Sequence, residues 1–195
     1  ALAETSGDVT AAEDLLRKKL KGKMETRTGR AAGEGRIAIA VQPDNQAGAI
    51  VELRTETDFT AKNEAFGAAA KKIADAAQAA SAGEVALTDS MNASIENVRI
   101  STGENASIAR VHKLAGGPGT RFGTYVHHDG KTGVLLQAEG DVPDELLRDI
   151  CMHITAAVPR PLGVSKDEIP AKVVEREKKF ALEQAMESGK PQEIA

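Results

Sequence analysis

Apolar residues recur at helical spacing along four stretches of the chain. Each stretch repeats Ala, Val, Ile or Leu at intervals of three and four residues, which places these side chains on one face of an α-helix. Near the start of the first stretch, Thr10 and Glu13 have the spacing of a capping box. The pattern predicts helices over residues 1–24, 58–80, 143–157 and 170–188, with a further short helix over 94–98.

The apolar faces of these helices differ in what is available to cover them. The first helix carries a stripe with few neighbours in sequence, formed by Val9, Ala12, Leu15, Leu16 and Leu20. Because residues 1–7 can barely cover this stripe, we expect residues 1–24 to be more mobile than the rest. The helix over 143–157 has a second stripe, formed by Leu146, Leu147, Ile150, Ile154 and Ala157.

Alternation and turn residues indicate two β-hairpins. Large apolar residues alternate with smaller ones over 37–41, and Val51 and Leu53 alternate with Glu52 and Arg54. The first pairs residues 37–41 with 51–53, and the second pairs residues 122–128 with 134–138 around Asp129-Gly130. A third strand is expected over residues 108–114. The order strand, strand, helix thus occurs twice, which predicts an α+β fold with two subdomains, each a small antiparallel sheet packed with helices.

Gly-rich segments divide the chain into three parts. The clearest linker is Leu114-Ala-Gly-Gly-Pro-Gly119, and residues 25–35 form a second polar, Gly-rich segment. We therefore expect a partial helical module at residues 1–24, a first core subdomain at 25–114 and a second, incomplete one at 120–195. The second subdomain shows only two strands, and we expect any further strand to lie beyond Ala195.

Composition narrows the class of protein. With 25 basic and 29 acidic residues, the net charge of −4 argues against direct binding of nucleic acid through a basic face. The single cysteine, Cys151, allows no internal disulfide and suits a reducing compartment. No apolar run is long enough for a membrane helix, and no signal peptide opens the sequence. We expect a cytoplasmic protein, or one of an organelle matrix, with no membrane contact.

Motifs for common catalytic chemistry are missing from the sequence. Nothing matches a P-loop, a dinucleotide-binding fingerprint or a Gly-x-Ser-x-Gly elbow, so no own nucleotide site is expected. His127 and His128 are adjacent on a predicted strand and should point to opposite faces, which disfavours a shared metal. His153 has only Asp149 as a possible helical neighbour. We expect that the protein binds no cofactor and no metal and is not an enzyme. A small enzyme that uses His127 or His153 stays an alternative.

The most informative segment joins the end of a strand to the start of a helix at Thr57-Asp-Phe-Thr60. In one interpretation Thr57 or Asp58 only caps the helix, and Phe59 begins its apolar stripe. Lys62 and Asn63, however, occupy the next turn of that stripe. They would separate Phe59 from the core and leave it exposed, as suits an aromatic anchor inserted into a partner.

Five segments, in order, resemble the elongation factor Ts family. Thr57-Asp-Phe59 before Ala-Lys-Asn63 is similar to the family's Thr-Asp-Phe-Val signature, and Gly103-Glu-Asn105 to its Ile-Gly-Glu-Asn turn. Thr60 and Thr102 stand where that family usually has Val and Ile. The remaining similar segments are Gly7–Arg17, which resembles a ubiquitin-associated-like module, Tyr125–His128 with Gly130–Leu135, and Met152-His153 with Ala156-Ala157 and residues 187–195.

The resemblance implies a partner and a mechanism. The family binds elongation factor Tu in its GDP-bound and nucleotide-free forms, displaces magnesium and releases GDP so that GTP can bind. On this chain the displacing segment would be Thr57, Asp58, Phe59 and Thr60, with further contacts from Thr102, Gly103, Met152 and His153. Gly103 as a plain turn glycine and His153 as a packed histidine stay open, as does a generic interaction module without exchange activity. The same resemblance implies a chain that begins inside the N-terminal module and ends before the family's coiled coil.

Overall fold

The computed structural model describes residues 1–187, except for the side chains of Lys23 and Glu25. The first helix, α1, spans Val9–Glu25. Its N-cap is Asp8, whose carboxylate accepts a hydrogen bond from the Ala11 amide at 3.0 Å. The predicted cap at Thr10 is therefore wrong: Asp8 lies two residues earlier, and its short acceptor side chain suits the position equally well.

A four-stranded antiparallel sheet lies in the first part of the chain, within residues 34–115. Its strands lie in the order β1, β2, β4, β3. The two long central pairings place Ile39 opposite Ile50 and Val51 opposite Val111. The two-residue strand β3 was not predicted from the sequence, because so short a segment shows no alternation. The strand bounds are Glu34–Val41 for β1, Ala47–Thr55 for β2, Gly83–Glu84 for β3 and Ser107–Ala115 for β4.

Where the sequence predicts one long and one short helix, over residues 58–80 and 94–98, the structure has three helices. The expected helix over 58–80 is broken at Asn63 into α2, Asp58–Lys62, and α3, Glu64–Ala77. Asn63 has extended backbone angles, and its side-chain oxygen accepts a hydrogen bond from the Ala65 amide at 2.8 Å. This side chain competes with the helical backbone and caps α3 instead. The short helix expected over 94–98 is the longer α4, Asp89–Thr102.

The core lies between the four-stranded sheet and helices α3 and α4. Apolar side chains of β2 meet Phe66 and Ile73 of α3 and Met91 of α4, all nearly inaccessible to solvent. Alanines fill most of the α3 face, which allows the helix to approach the sheet closely. Helix α1 packs against α4 and buries only Ala12 and Met24 among its described side chains.

The second sheet contains two antiparallel strands, β5 at Thr120–Val126 and β6 at Gly133–Glu139. Helix α5, Asp144–Ala156, packs against it. A side chain at Gly123 would collide with Leu147 and Cys151, so glycine permits this close approach. Only Leu147 and Cys151 of α5 are buried; Leu146 and Ile150, predicted to share the buried stripe, are 50 % and 39 % exposed. Burial raises the pKa of the Cys151 thiol.

The fold is thus α+β, with two small antiparallel sheets packed with helices, as predicted. The chain divides into two compact units, residues 1–155 and 156 onward. In the second unit, a short 3₁₀ turn at Lys166–Glu168 precedes α6, Ala171–Glu187, which buries none of its described side chains. The predicted end of this helix at 188–189 lies outside the described residues. No described helix has the length and apolar character needed to cross a membrane.

Candidate functional site

Phe59 is the most exposed aromatic residue of the first compact unit, with 83 % of its surface accessible. It lies on the outer side of α2, while Thr60 and Ala61 face inward at 7 % and 6 % exposure. The break at Asn63 separates Phe59 from the buried Phe66 of α3. The expectation that Lys62 and Asn63 would leave Phe59 at the surface is therefore confirmed. Residues 57–60, the wedge segment, present one large apolar side chain at the tip of a short helix.

Thr57 fixes the start of this helix. It is the N-cap of α2, and its hydroxyl oxygen accepts a hydrogen bond from the Thr60 amide at 3.3 Å. Asp58 is the first helical residue rather than the cap. Of the two capping candidates, the structure thus selects Thr57.

A distant carboxylate, Glu104, holds the turn before α2. Its two oxygens accept hydrogen bonds from the Thr55 hydroxyl at 2.8 Å, from the Thr57 amide at 3.0 Å and from the Thr57 hydroxyl at 2.6 Å. Although burial of the carboxylate raises the pKa of Glu104, the hydrogen bonds from these threonines outweigh it and hold the pKa below its usual value. Glu104 is therefore ionised at neutral pH and bonded on both oxygens.

The residues beside Glu104 extend this contact. Gly103 ends α4 in the left-handed region, at φ 71°, where glycine carries no steric penalty. The Asn105 amide donates to Glu56 at 2.7 Å, and its side chain donates to the carbonyls of Thr28 and Arg30 at 3.1 and 2.7 Å. The Gly103-Glu-Asn105 turn therefore connects the wedge segment with residues that follow α1.

Asp58 is partly exposed and carries a local counter-ion. The Lys62 ammonium lies 2.7 Å from its carboxylate, one helical turn away. The hydrogen bond from Lys62 is the main cause of the lowered pKa of Asp58. Partial burial raises this pKa, and the positive charge of Lys131 lowers it further. The carboxylate borders a shallow cleft of about 230 Å³ between α2, the start of β1 and the turn after β5. Asp58 is thus a charged group at the surface beside Phe59.

The turn after β5 closes the far side of this cleft. Its Gly130 carbonyl accepts a hydrogen bond from the Ile37 amide at 2.7 Å, and Lys131 pairs with Glu34 at 2.6 Å. These contacts attach the second hairpin to β1, close to the wedge segment. The acidic and basic groups of both elements therefore share one electrostatic environment around Asp58.

The remaining predicted contact residues fall into two groups. Thr102 and Gly103 end α4 directly before Glu104, so the fold places them next to the turn that precedes the wedge segment. Met152 and His153 lie on α5, half-buried and exposed respectively. No hydrogen bond or ion pair within residues 1–187 connects either of them to the wedge segment. The structure therefore unites six of the eight predicted residues around one turn.

The histidines of the second hairpin differ from the prediction. Strand β5 ends at Val126, so His127 and His128 lie in the turn rather than on opposite faces of a strand. Their ring centroids are 4.1 Å apart, and His127 approaches Asp129 at 3.2 Å. The Gly130 amide donates a hydrogen bond to the His127 carbonyl at 2.8 Å, so the turn includes both histidines and the strand ends two residues earlier than predicted. No group of three or more possible ligands for a metal ion occurs among the described residues.

Sequence reasoning did not identify Glu104 and Asn105 as parts of the site. The available signal was the concentration of hydroxyl side chains at Thr55, Thr57 and Thr60, which need partners when they are buried. That signal calls for an acceptor without saying where in the chain the acceptor lies.

Comparison with known proteins identifies a family that matches most of the chain. The family model described as "Elongation factor TS" matches residues 56–195. The elongation factor Ts of Alkalilimnicola ehrlichii is 40 % identical over 202 residues, and that of Thioalkalivibrio sulfidiphilus is 37 % identical over 201 residues. That of Photorhabdus laumondii is 39 % identical over 199 residues. Each comparison covers 100 % of this chain and 67 % of the relative.

Proposed function

Because the chain belongs to the elongation factor Ts family, we propose that it acts in translation elongation as a guanine-nucleotide exchange factor. Its partner is elongation factor Tu in the GDP-bound state, from which it releases GDP so that GTP can bind. The observation that carries the proposal is the wedge segment, where Phe59 is 83 % exposed at the tip of a helix whose start is held by Glu104.

Phe59 supplies the apolar part of the contact. An exposed aromatic ring on a short, capped helix loses little conformational entropy when it enters a pocket, because its backbone is already ordered. Aromatic anchors of this kind carry much of the binding energy in many interfaces. Phe59 inserts between helices of the GTPase domain, while Thr57 and Thr60 support it from the inner side of α2.

Asp58 supplies the charge. The pairing with Lys62 keeps its carboxylate ionised, and the side chain stays accessible at 45 %. A carboxylate brought near the magnesium site of a GTPase disturbs the groups that coordinate the ion. Loss of this coordination weakens the binding of GDP to the GTPase, since magnesium neutralises the charge of the GDP phosphates. Thr102 and Gly103, beside the turn before α2, provide further contacts, as do Met152 and His153 on α5.

Exchange requires no covalent step by this chain. The factor binds the nucleotide-free partner more tightly than the GDP-bound partner, and this difference in affinity drives release. By linkage, GDP must lower the affinity of the chain for elongation factor Tu by the same factor by which the chain lowers the affinity of GDP for elongation factor Tu. The chain acts as a binding protein on a GTPase, without a nucleotide site of its own.

The test follows GDP release directly. Elongation factor Tu is loaded with a fluorescent GDP, mixed with an excess of unlabelled GDP, and the fluorescence decay is recorded with increasing amounts of the chain. We expect the decay to accelerate with chain concentration, and the Phe59→Ala variant to accelerate it much less. A decay that is unchanged by the wild-type chain rejects the proposal.

A second arm separates exchange from simple binding. The chain and nucleotide-free elongation factor Tu should co-elute in gel filtration, and added GDP should dissociate the complex. A complex whose strength is the same with and without GDP would identify a generic interaction module instead.

A further inference from the structure

We propose that Glu104 is a positioning residue, which aims Phe59 by holding the turn before α2 without touching the partner itself. This inference rests on the proposed function, because it concerns the geometry of the wedge segment. Glu104 lies 47 residues from Thr57 in sequence, yet its carboxylate accepts three hydrogen bonds from Thr55 and Thr57.

Helix α2 needs such support because of its length. It has five residues, and isolated helices much shorter than about 12 residues are marginal in water. Its persistence therefore depends on its ends. Asn63 terminates one end, and the Thr57 cap defines the other.

The Thr57 hydroxyl connects the carboxylate to the helix. As an acceptor, its oxygen binds the Thr60 amide at 3.3 Å; as a donor, its hydrogen is directed to Glu104 at 2.6 Å. Glu104 thereby fixes the rotamer in which Thr57 caps α2. The backbone amide of Thr57, also bonded to Glu104, fixes the direction in which the chain enters the helix. Phe59, two residues later, takes its direction from both.

The position of Glu104 is itself fixed from two sides. Gly103 turns the chain sharply at the end of α4, and Asn105 is bonded to Glu56 and to the segment after α1. The carboxylate is thus presented from a rigid support. A support of this kind keeps Phe59 in its binding-competent direction in the free chain.

Pre-organisation has a kinetic signature that distinguishes it from direct contact. If loss of Glu104 lowers the fraction of chains that have a competent wedge segment, the apparent affinity for the partner falls by that fraction, while the rate at saturation is retained. Removal of a group that acts on the bound partner, such as Phe59, lowers the saturated rate instead. The two roles are therefore separable by the concentration dependence of exchange.

The experiment uses Glu104→Gln in the full chain. Glutamine keeps the shape but replaces one acceptor oxygen by a donor, which cannot bind the hydroxyl and amide hydrogens of this turn. The matched control is Glu96→Gln, the same change on α4 at a carboxylate paired with Arg99 at 3.3 Å. Both variants are compared with wild type by amide hydrogen exchange in the free chain and by GDP release from elongation factor Tu.

In the free chain, we expect the amides of Thr57 and Thr60 to exchange about tenfold faster in Glu104→Gln, with the amides of Phe66 to Ala77 unchanged. In GDP release, we expect the half-saturating concentration to rise by about tenfold and the saturated rate to stay within about twofold of wild type. Glu96→Gln should match wild type in both assays.

Each other outcome overturns the inference. Unchanged protection at Thr57 shows that Glu104 does not hold the turn, and loss of protection across the α3 core shows a general structural role. Lost protection with unchanged half-saturation shows that the turn does not aim Phe59. A lowered saturated rate shows direct action on the partner. If the wild-type chain fails to release GDP, the proposed function fails, and the role of Glu104 in the exchange-factor site falls with it, even where amide exchange shows that it holds the turn.

Discussion

Truncation of Phe59 to alanine tests whether this residue is a surface anchor or part of the core. A surface anchor should change the free energy of unfolding little and the free energy of partner binding strongly, and a core residue should change the free energy of unfolding strongly. A buried phenylalanine covers roughly 200 Å². At 83 % exposure, Phe59 has only about a sixth of this area, or roughly 35 Å², covered in the free chain. At about 25 cal/mol per Å², Phe59→Ala should lower the free energy of unfolding by only about 1 kcal/mol. The melting temperature should fall by about 2–4 °C, given the size of the chain.

The effect on the partner should be much larger. The remaining area, roughly 165 Å², corresponds to at most about 4 kcal/mol when it is covered by elongation factor Tu. Interface anchors typically lose at least about 2 kcal/mol on truncation. We therefore expect Phe59→Ala to reduce the efficiency of GDP release by about 30- to 1,000-fold, at about 1.4 kcal/mol per tenfold.

Phe66 provides the internal control. It is the same residue type, seven positions later, and is fully buried in α3. Phe66→Ala should cost about 3–5 kcal/mol of stability, as truncations of buried phenylalanines do. Thermal unfolding and fluorescent GDP release are measured for both variants. The reasoning is refuted if Phe59→Ala unfolds as early as Phe66→Ala, or if it releases GDP as fast as wild type.

Three further predictions concern the charge beside Phe59 and the first helix. Asp58→Asn should leave the melting temperature nearly unchanged, because Thr57 is the cap, yet it should slow GDP release; full activity of this variant would exclude a role for the charge. Lys62→Met should raise the pKa of Asp58 toward its ordinary value, as measured by a carboxyl NMR titration. An unchanged pKa would show that Lys62 is not the main cause of the lowered pKa of Asp58. Because the folded pKa of Asp58 is lowered, its stabilising contribution is present above the ordinary pKa and is lost as the pH falls through the lowered value. Amide exchange should be faster in α1 than in α3, since α1 buries only two of its described side chains; equal protection would contradict this.

The sequence determined the main elements because their signals are local. Alternation in residues 37–53 predicted the first hairpin, the Asp129-Gly130 turn signal predicted the second, and the polar pair Lys62-Asn63 predicted the exposure of Phe59. These signals depend on neighbours within a few positions, where the period of a strand or helix decides which face is covered. The resemblance that led to the family was local as well, since Thr57-Asp-Phe59 and Gly103-Glu-Asn105 are short motifs.

Local signals were also misleading where two of them competed. The apolar stripe across 58–80 predicted one helix, but the cap at Asn63 ended it after five residues. The second hairpin was predicted around Asp129-Gly130 with a strand reaching His128, but the turn begins at His127 and the strand ends at Val126. In both cases a hydrogen-bonding side chain or a turn residue decided the boundary, because backbone groups at an element's end require a partner.

Only the tertiary structure decided how the candidate site is held together. Glu104 is hydrogen-bonded to Thr57, 47 residues away in sequence, and Asn105 to Arg30, 75 residues away. No periodicity in the sequence predicts either contact. Likewise, the close approach at Gly123 selected Leu147 and Cys151 as the buried face of α5, from a stripe broad enough to offer other choices. The sequence set which side chains were available at the surface, but their partners depended on the distances at which separate elements packed.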